Sequence, residues 1–193
     1  VENNNHIFNA MNYIITTLLF LFAVSCEQNN HVQTYRLPKK IKTQDITVNN
    51  KNDSTSLIWD VPISWEKFDG HAMRLASYYV PFPNGKGELS ISIFPGSSGG
   101  ITANINRWRK QIALSEQNQK EILDSAENLT SKIGNFTFHQ LVNDESGDAI
   151  LASIFQLRDQ AIFIKLVIMS DGVMNILDDF KTFCSSLEFS TVK

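Results

Sequence analysis

Polar and apolar residues alternate at several places in the chain, and this period of two predicts β-strands. The clearest case is residues 88–94, ELSISIF, where Leu89, Ile91 and Ile93 share one face. Four further strands are predicted at residues 73–80, 135–142, 149–157 and 161–169. The last two are apolar at nearly every position, which is typical of strands buried on both faces. The pattern therefore predicts a sheet that is covered on both sides.

Apolar positions separated by three and four residues predict two amphipathic helices. The stripe of the first helix consists of Ile101, Ile105, Trp108 and Ile112. The inward positions of the second helix are Val173, Leu177, Phe180, Cys184 and Leu187. Ser170 or Asp171 is the expected N-cap of this last helix, and a more polar helical stretch is predicted over about 118–131.

The connections between the three C-terminal strands are short, since NDESGD joins the first two and RDQ the last two. Connections of this length join antiparallel neighbours, because a parallel crossover needs a dozen or more residues. The expected fold class is therefore α+β, with a mostly antiparallel sheet covered by helices on both faces.

Residues 13–24, YIITTLLFLFAV, form the longest apolar run. A helix of this length is too short to span a bilayer, which takes about 20 residues, but it suits the apolar region of a secretory signal. Cys26 follows directly after Ser25, and this arrangement resembles a bacterial lipoprotein signal. The resemblance implies acylation of Cys26 and attachment to a membrane through that lipid. No Lys or Arg precedes the run, so an uncleaved anchor and a non-lipidated signal remain as alternatives.

Three segments of different composition follow from this assignment. Residues 1–25 form the signal segment, in which Met11 is an alternative start to Val1 and would leave 1–10 as upstream read-through. Residues 26–55 are rich in Asn, Gln, Thr and Lys and predict a polar tether. Residues 56–193 form a single globular domain. The expected location is the cell envelope, on its periplasmic or outward-facing side.

Charge and cysteine content exclude several classes of function. The net charge is −3 and there is no basic arm, so we expect no nucleic-acid partner. With lipid on Cys26, Cys184 has no partner for a disulfide. The histidines are isolated from cysteines, and the glycine-rich stretch lacks the lysine of a phosphate-binding loop. We therefore expect neither a metal nor a cofactor.

The C-terminal stretch AIFIKLVIMSDGVMNILDDFKTFCSSLEF resembles the ending of PsbP-fold proteins. In those proteins a strand with a lysine is followed by a glycine turn, a helix with spaced Phe residues and a closing SL-F strand. LIWDVPISW, with its Trp-x-x-Pro-x-x-Trp spacing, resembles the start of such domains. The resemblance implies a PsbP-like α/β/α sandwich.

Residues 57–190 also resemble a group of exported bacterial proteins with no assigned reaction. The shared features are a Met-Arg strand, an FPGxxGG turn and an NxNRWR helix, here Met73-Arg74, Phe94–Gly100 and Asn104–Arg109. The resemblance implies a non-catalytic role in binding or assembly, and it supplies no catalytic residue.

Gly96–Gly100 satisfies G-x-S-x-G, the pattern of the serine-hydrolase nucleophile elbow. Ser98 would then be the nucleophile, with His139 as base and Asp144 or Asp148 as acid. The order of acid and base is unusual, however, and that elbow belongs to a parallel sheet. We therefore favour Ser98 as the N-cap of the following helix, with a serine-type hydrolase as the alternative function.

The polar side of the helix after this turn is the best candidate binding site. Asn104, Arg107 and Gln111 share a face, and Arg109 lies elsewhere on the helix. Arginine suits the recognition of a small anion, and an envelope protein is the other candidate partner. The favoured alternative is that Arg107 or Arg109 pairs with a carboxylate of the sheet. Lys165 is expected to emerge at the sheet edge with its stem buried.

Overall fold

The computed structural model describes residues 41–47, 55–71 and 73–191, which all belong to one compact unit. The strands are β1 Ile41–Thr47, β2 Thr55–Pro62, β3 Glu66–Lys67, β4 Ala76–Phe82, β5 Gly85–Pro95, β6 Glu127–Ser131, β7 Gly134–Asn143, β8 Asp148–Gln156, β9 Gln160–Met169 and β10 Glu188–Thr191. The helices are α1 Gly100–Gln111, α2 Gln119–Asp124 and α3 Val173–Ser185. The predicted signal segment, with Cys26, lies outside the described residues.

The described strands form two sheets, and every pairing in them is antiparallel. The large sheet has seven strands in the order β3-β4-β5-β9-β8-β7-β6, and the small sheet has three in the order β1-β2-β10. Strand β9 therefore lies in the middle of the large sheet, between β5 and β8. The expectation that Lys165 emerges at a sheet edge is wrong, because its strand is inserted between two earlier ones.

Each face of the large sheet packs against its own core. One core joins the sheet to α3 and to the small sheet through residues such as Trp59, Tyr78 and Phe180. The other joins it to α1 and α2 through Ile105 and Ile122. Because both faces are covered, β8 is buried from 149 to 155 without alternation. The predicted α+β fold, with helices on both faces of a mostly antiparallel sheet, is confirmed.

Strand β1 lies within residues 26–55, which the sequence predicts to be a polar tether. It pairs with β2 over its whole length, from Ile41 opposite Pro62 to Thr47 opposite Ser56. Strand β10 pairs with the other side of β2. A strand forms here although the segment is polar, because β2 offers a continuous ladder of backbone partners.

The glycine-rich turn before α1 departs from the prediction at Ser98. Gly99 is the N-cap, and no side chain caps the helix. Ser98 has a left-handed φ of 44°, and its hydroxyl donates to the Pro95 carbonyl at 3.1 Å. An N-cap side chain usually reaches the free amides from an extended backbone. The expectation that Ser98 caps α1 is therefore wrong.

The expected caps of the last helix are also wrong. Ser170–Gly172 forms a 3₁₀ turn that runs directly into α3, so Gly172 is the N-cap and makes no side-chain cap bond. Asp171 instead accepts a hydrogen bond from Asn84 at 2.9 Å. The continuous helical backbone leaves no extended position from which Ser170 or Asp171 could cap.

The helical stretch predicted over 118–131 is half helix and half strand. Helix α2 begins after Asn118, whose side chain accepts from the Glu121 amide while Glu121 bonds back to the Asn118 amide. This capping box fixes the start of the helix. The helix ends at Asp124, and residues from Glu127 pair with β7 as strand β6.

Candidate functional site

A cleft of about 280 Å³ lies between helix α1 and strands β5 and β9. The described residues that line it are Arg74, Ser90, Ser92, Phe94, Arg107, Trp108, Gln111, Phe163 and Lys165. Strands β5 and β9 form the floor of the cleft. Their register places Ser90 opposite Lys165 and Ser92 opposite Phe163. Neighbouring side chains on paired strands share a face, so the β5 serines, Phe163 and Lys165 all point toward α1.

Three cationic side chains line the cleft, from three different parts of the chain. Arg74 precedes β4, Arg107 lies on α1 and Lys165 on β9. The described lining residues include no carboxylate. Glu88, outside the lining, forms an ion pair with Arg74. The cleft therefore has an excess of positive charge, although the whole chain is acidic.

Lys165 lies at the centre of this group. Its Nζ donates to Gln111 Oε1 at 3.1 Å and so links β9 to α1. Burial lowers the pKa of Lys165, and the Arg74 and Arg107 guanidinium groups lower it further, while Glu88 acts in the opposite direction. The lowered pKa means that the surroundings of Lys165 disfavour its positively charged form. An anion bound in the cleft would act in the opposite direction and favour that form.

Arg107 is held in place by its neighbour one turn earlier. Its Nη2 donates to Asn104 Oδ1. Asn104 is buried, and its Nδ2 donates to the carbonyls of Ser98 at 2.9 Å and Gly100 at 2.6 Å. Asn104 thus joins the guanidinium to the glycine turn, and it positions Arg107 without lining the cleft itself.

The structure separates the four helix residues that the sequence nominates as a site. Arg107 and Gln111 line the cleft, and Asn104 lies behind it. Arg109 is elsewhere, with its Nε donating to the Ser115 carbonyl at 2.6 Å. Neither arginine pairs with a described carboxylate of the sheet, so the favoured structural alternative for them is wrong within the described residues.

An aromatic group forms the other end of the cleft. The ring centroids of Phe94 and Phe163 are 5.6 Å apart. Trp108 meets Phe163 edge to face at 5.9 Å and 88°. Trp108 and Phe163 are almost fully buried, while Phe94 is only partly buried. These rings give the cleft an apolar wall next to its cationic floor.

Sequence reasoning missed Arg74, Lys165 and the two serines as members of one site. The available signal was the contrast within β5, where Ser90 and Ser92 occupy the face opposite Leu89 and Ile91. The sheet is predicted to be covered on both faces. Two polar side chains next to each other on one face therefore indicate a position where no helix fills the space above the sheet.

The residues of the alternative catalytic site have other partners. Ser98 donates to Pro95, and His139 lies on β7, buried and 3.1 Å from the Thr137 hydroxyl. Burial lowers the pKa of His139 to about 4. The hydrogen bonds of the described residues therefore do not join Ser98 to His139, as a serine nucleophile and its base would require.

The described residues contain no group of three or more His, Cys, Asp or Glu side chains arranged to hold a metal ion. Among them, no helix has the length and apolar character needed to cross a membrane.

The chain is similar in structure to several solved proteins at low sequence identity. A protein from Bacteroides thetaiotaomicron is 15% identical with a TM-score of 0.44, over 71% of this chain and 45% of that one. The cyanobacterial PsbP (CyanoP) from Synechocystis is 16% identical with a TM-score of 0.48, over 82% and 99%. LpqN, involved in cell envelope biogenesis of Mycobacterium tuberculosis, is 9% identical with a TM-score of 0.43, over 79% and 92%.

The chain spans less than half the length of the Bacteroides protein. No protein-family model matches it, and no curated protein does. A PsbP is thus among the structures that this chain is similar to, as the resemblance in its sequence predicts. The likeness concerns the fold alone.

Proposed function

We propose that this domain is a non-catalytic binding module of the bacterial cell envelope, and that its cleft binds a small anion. The observation that carries the proposal is the convergence of Arg74, Arg107 and Lys165 on one cleft. Cations that line a concave site with low-dielectric walls concentrate their field there and attract anions.

The energetics of the three cations favour an occupant of opposite charge. Glu88 pairs with Arg74, and the described structure gives Arg107 and Lys165 only the neutral amide partners Asn104 and Gln111. Like charges in proximity destabilise one another, and partial burial strengthens the effect. A bound carboxylate or phosphate would offset this repulsion and accept charge-assisted hydrogen bonds from the guanidinium.

The attachment to the envelope is the second part of the proposal and is argued from Cys26 and the apolar run before it. Lipid on Cys26 would hold the domain at a membrane surface, with the following residues as the tether. Metabolic labelling with palmitate tests this step. We expect labelling of the wild-type protein and none of Cys26→Ser, and label that persists in the variant would refute lipidation at this residue.

Calorimetric titration of the purified protein with phosphate and with acetate at low ionic strength tests the binding function. Arg107→Gln should weaken binding about tenfold or more, a loss of about 1.4 kcal/mol or more. Arg109→Gln is the matched control, because it removes the same charge from the same helix outside the cleft. Equal losses in both variants would mean a general charge effect and would refute binding in the cleft.

A further inference from the structure

We infer that the anion bound in this cleft is an aromatic carboxylate, with its ring against Phe94 and Phe163 and its carboxylate between Arg107 and Lys165. This inference rests on the proposed anion-binding function and deepens it by naming the ligand class.

The floor of the cleft changes character along its length. Phe163 and Lys165 are two residues apart on β9 and point to the same face, which places them about 7 Å apart along the strand. On β5, Phe94 lies at the aromatic end and Ser90 lies opposite Lys165. One end of the floor is therefore aromatic and the other end is cationic.

Helix α1 is divided into an apolar and a polar part in the same way as the floor beneath it. Trp108 contacts Phe163, and Gln111 accepts the hydrogen bond from Lys165. Arg107 lies one turn before Gln111, close enough to Lys165 to act on its charge. The wall and the floor thus place apolar surface beside apolar surface and cation beside cation, so a ligand of uniform polarity would match only half of the cleft.

The volume limits the ligand to a small molecule. A cleft of about 280 Å³ is slightly smaller than the usual range for small-molecule sites, which begins at about 300 Å³. One ring with a carboxylate one or two carbons away is long enough to reach from Phe163 to Lys165. Aromatic rings prefer offset or edge contacts with other rings, and Phe94 is the partly exposed ring that can provide one.

The donors in the cleft favour a carboxylate over a bare phosphate. Phosphate sites are typically built from backbone amides at a helix N-terminus. Here α1 begins at Gly100, whereas the cleft cations lie near its C-terminal half and act through side chains. A planar guanidinium matches a carboxylate with two parallel hydrogen bonds.

Three probes separate the two halves of the ligand: phenylacetate, acetate, which lacks the ring, and 2-phenylethanol, which lacks the charge. We expect phenylacetate to bind about tenfold or more tightly than either of the others. Arg107→Gln and Phe94→Leu should each weaken phenylacetate binding, and Arg109→Gln should not. Because Phe94→Leu can alter folding, nuclear Overhauser contacts from the phenylacetate ring to Phe94 and Phe163 provide a test in the wild-type protein.

The outcomes distinguish this inference from the function on which it rests. If acetate or phosphate binds as tightly as phenylacetate and depends on Arg107, the anion site stands and the aromatic part is refuted. If 2-phenylethanol binds as tightly as phenylacetate, the role of the cations is refuted. If ring contacts to Phe94 and Phe163 are absent in a saturated sample, the proposed orientation is refuted. If none of the probes binds, both proposals fail.

Discussion

Trp59 Nε1 donates a hydrogen bond of 3.0 Å to the hydroxyl of Tyr78 in the interior of the domain. Trp59 lies on β2 of the small sheet and Tyr78 on β4 of the large sheet, so this bond joins the two sheets. Both side chains are almost fully buried. Burial is also the main reason that the pKa of Tyr78 is raised.

Removing the hydroxyl of Tyr78 should therefore destabilise the domain. In Tyr78→Phe the indole N–H of Trp59 stays buried without its acceptor, and such an unpaired group costs about 1–3 kcal/mol. Urea unfolding measures the loss. Tyr79→Phe is the matched control, because the contact of Tyr79 with Phe68 is made by its ring, with 4.1 Å between the two ring centroids. A loss as large in the control would show that the bond to Trp59 is not the cause.

The glycine turn before α1 should depend on Asn104 more than on Ser98. Asn104→Ala removes a buried amide that donates to two carbonyls of the turn, so we expect a loss of about 1–3 kcal/mol in the free energy of unfolding. Ser98→Ala removes one exposed bond to Pro95 and should cost less than about 0.5 kcal/mol. Equal losses in the two variants would contradict this account of the turn.

Stability should fall in mild acid because of His139. Its pKa is about 4 in the folded protein and 6.5 in its unperturbed state, so the unfolded chain binds a proton first. Neutral His139 makes its full contribution to the free energy of unfolding above pH 6.5. This contribution decreases as the pH falls from 6.5 to about 4, and it changes no further below that value.

Urea unfolding at several pH values between 7.5 and 4 tests this expectation. His139→Gln should flatten the pH dependence of the free energy of unfolding relative to wild type. His71→Gln is the control, because His71 is exposed, and it should leave the slope unchanged. An unchanged slope in His139→Gln would assign the acid sensitivity to other groups.

The hydrogen bonds around Ser98 predict that it is unreactive. Its hydroxyl donates to a carbonyl and not to a base, so a fluorophosphonate probe should leave the purified protein unlabelled. Labelling that disappears in Ser98→Ala would restore the serine-type hydrolase. Labelling that persists in Ser98→Ala would point to another residue.

Local patterns predicted the strands better than their arrangement. The alternation around Leu89 and Ile91 places β5 correctly, because a strand with one side against a core must alternate there. The pairing of Ser90 with Lys165 joins residues 75 positions apart, and no local pattern contains that information. The expectation of an edge position for Lys165 fails for this reason, since the residue lies in the centre of the sheet.

The candidate site was predicted only in the part that lies on one helix. Arg107 and Gln111 share a face of α1, and helical periodicity alone brings them together. Arg74 reaches the same cleft from a segment before β4, through tertiary packing. The cap prediction fails at Ser98 because the left-handed backbone of this residue depends on the whole turn, whereas the cap preference of serine assumes an extended residue.

The central place of β9 has a consequence for the order in which the protein is built. Until residues 160–169 have been synthesised, the hairpin of β4 with β5 and the meander of β6, β7 and β8 share no strand that could join them. Pairing across such a sequence separation is intrinsically slow. The same strand brings Phe163 and Lys165 into the cleft. A nascent or truncated chain that ends before residue 160 therefore lacks half of the cleft floor, and the site proposed for an anion can form only after most of the chain has been synthesised.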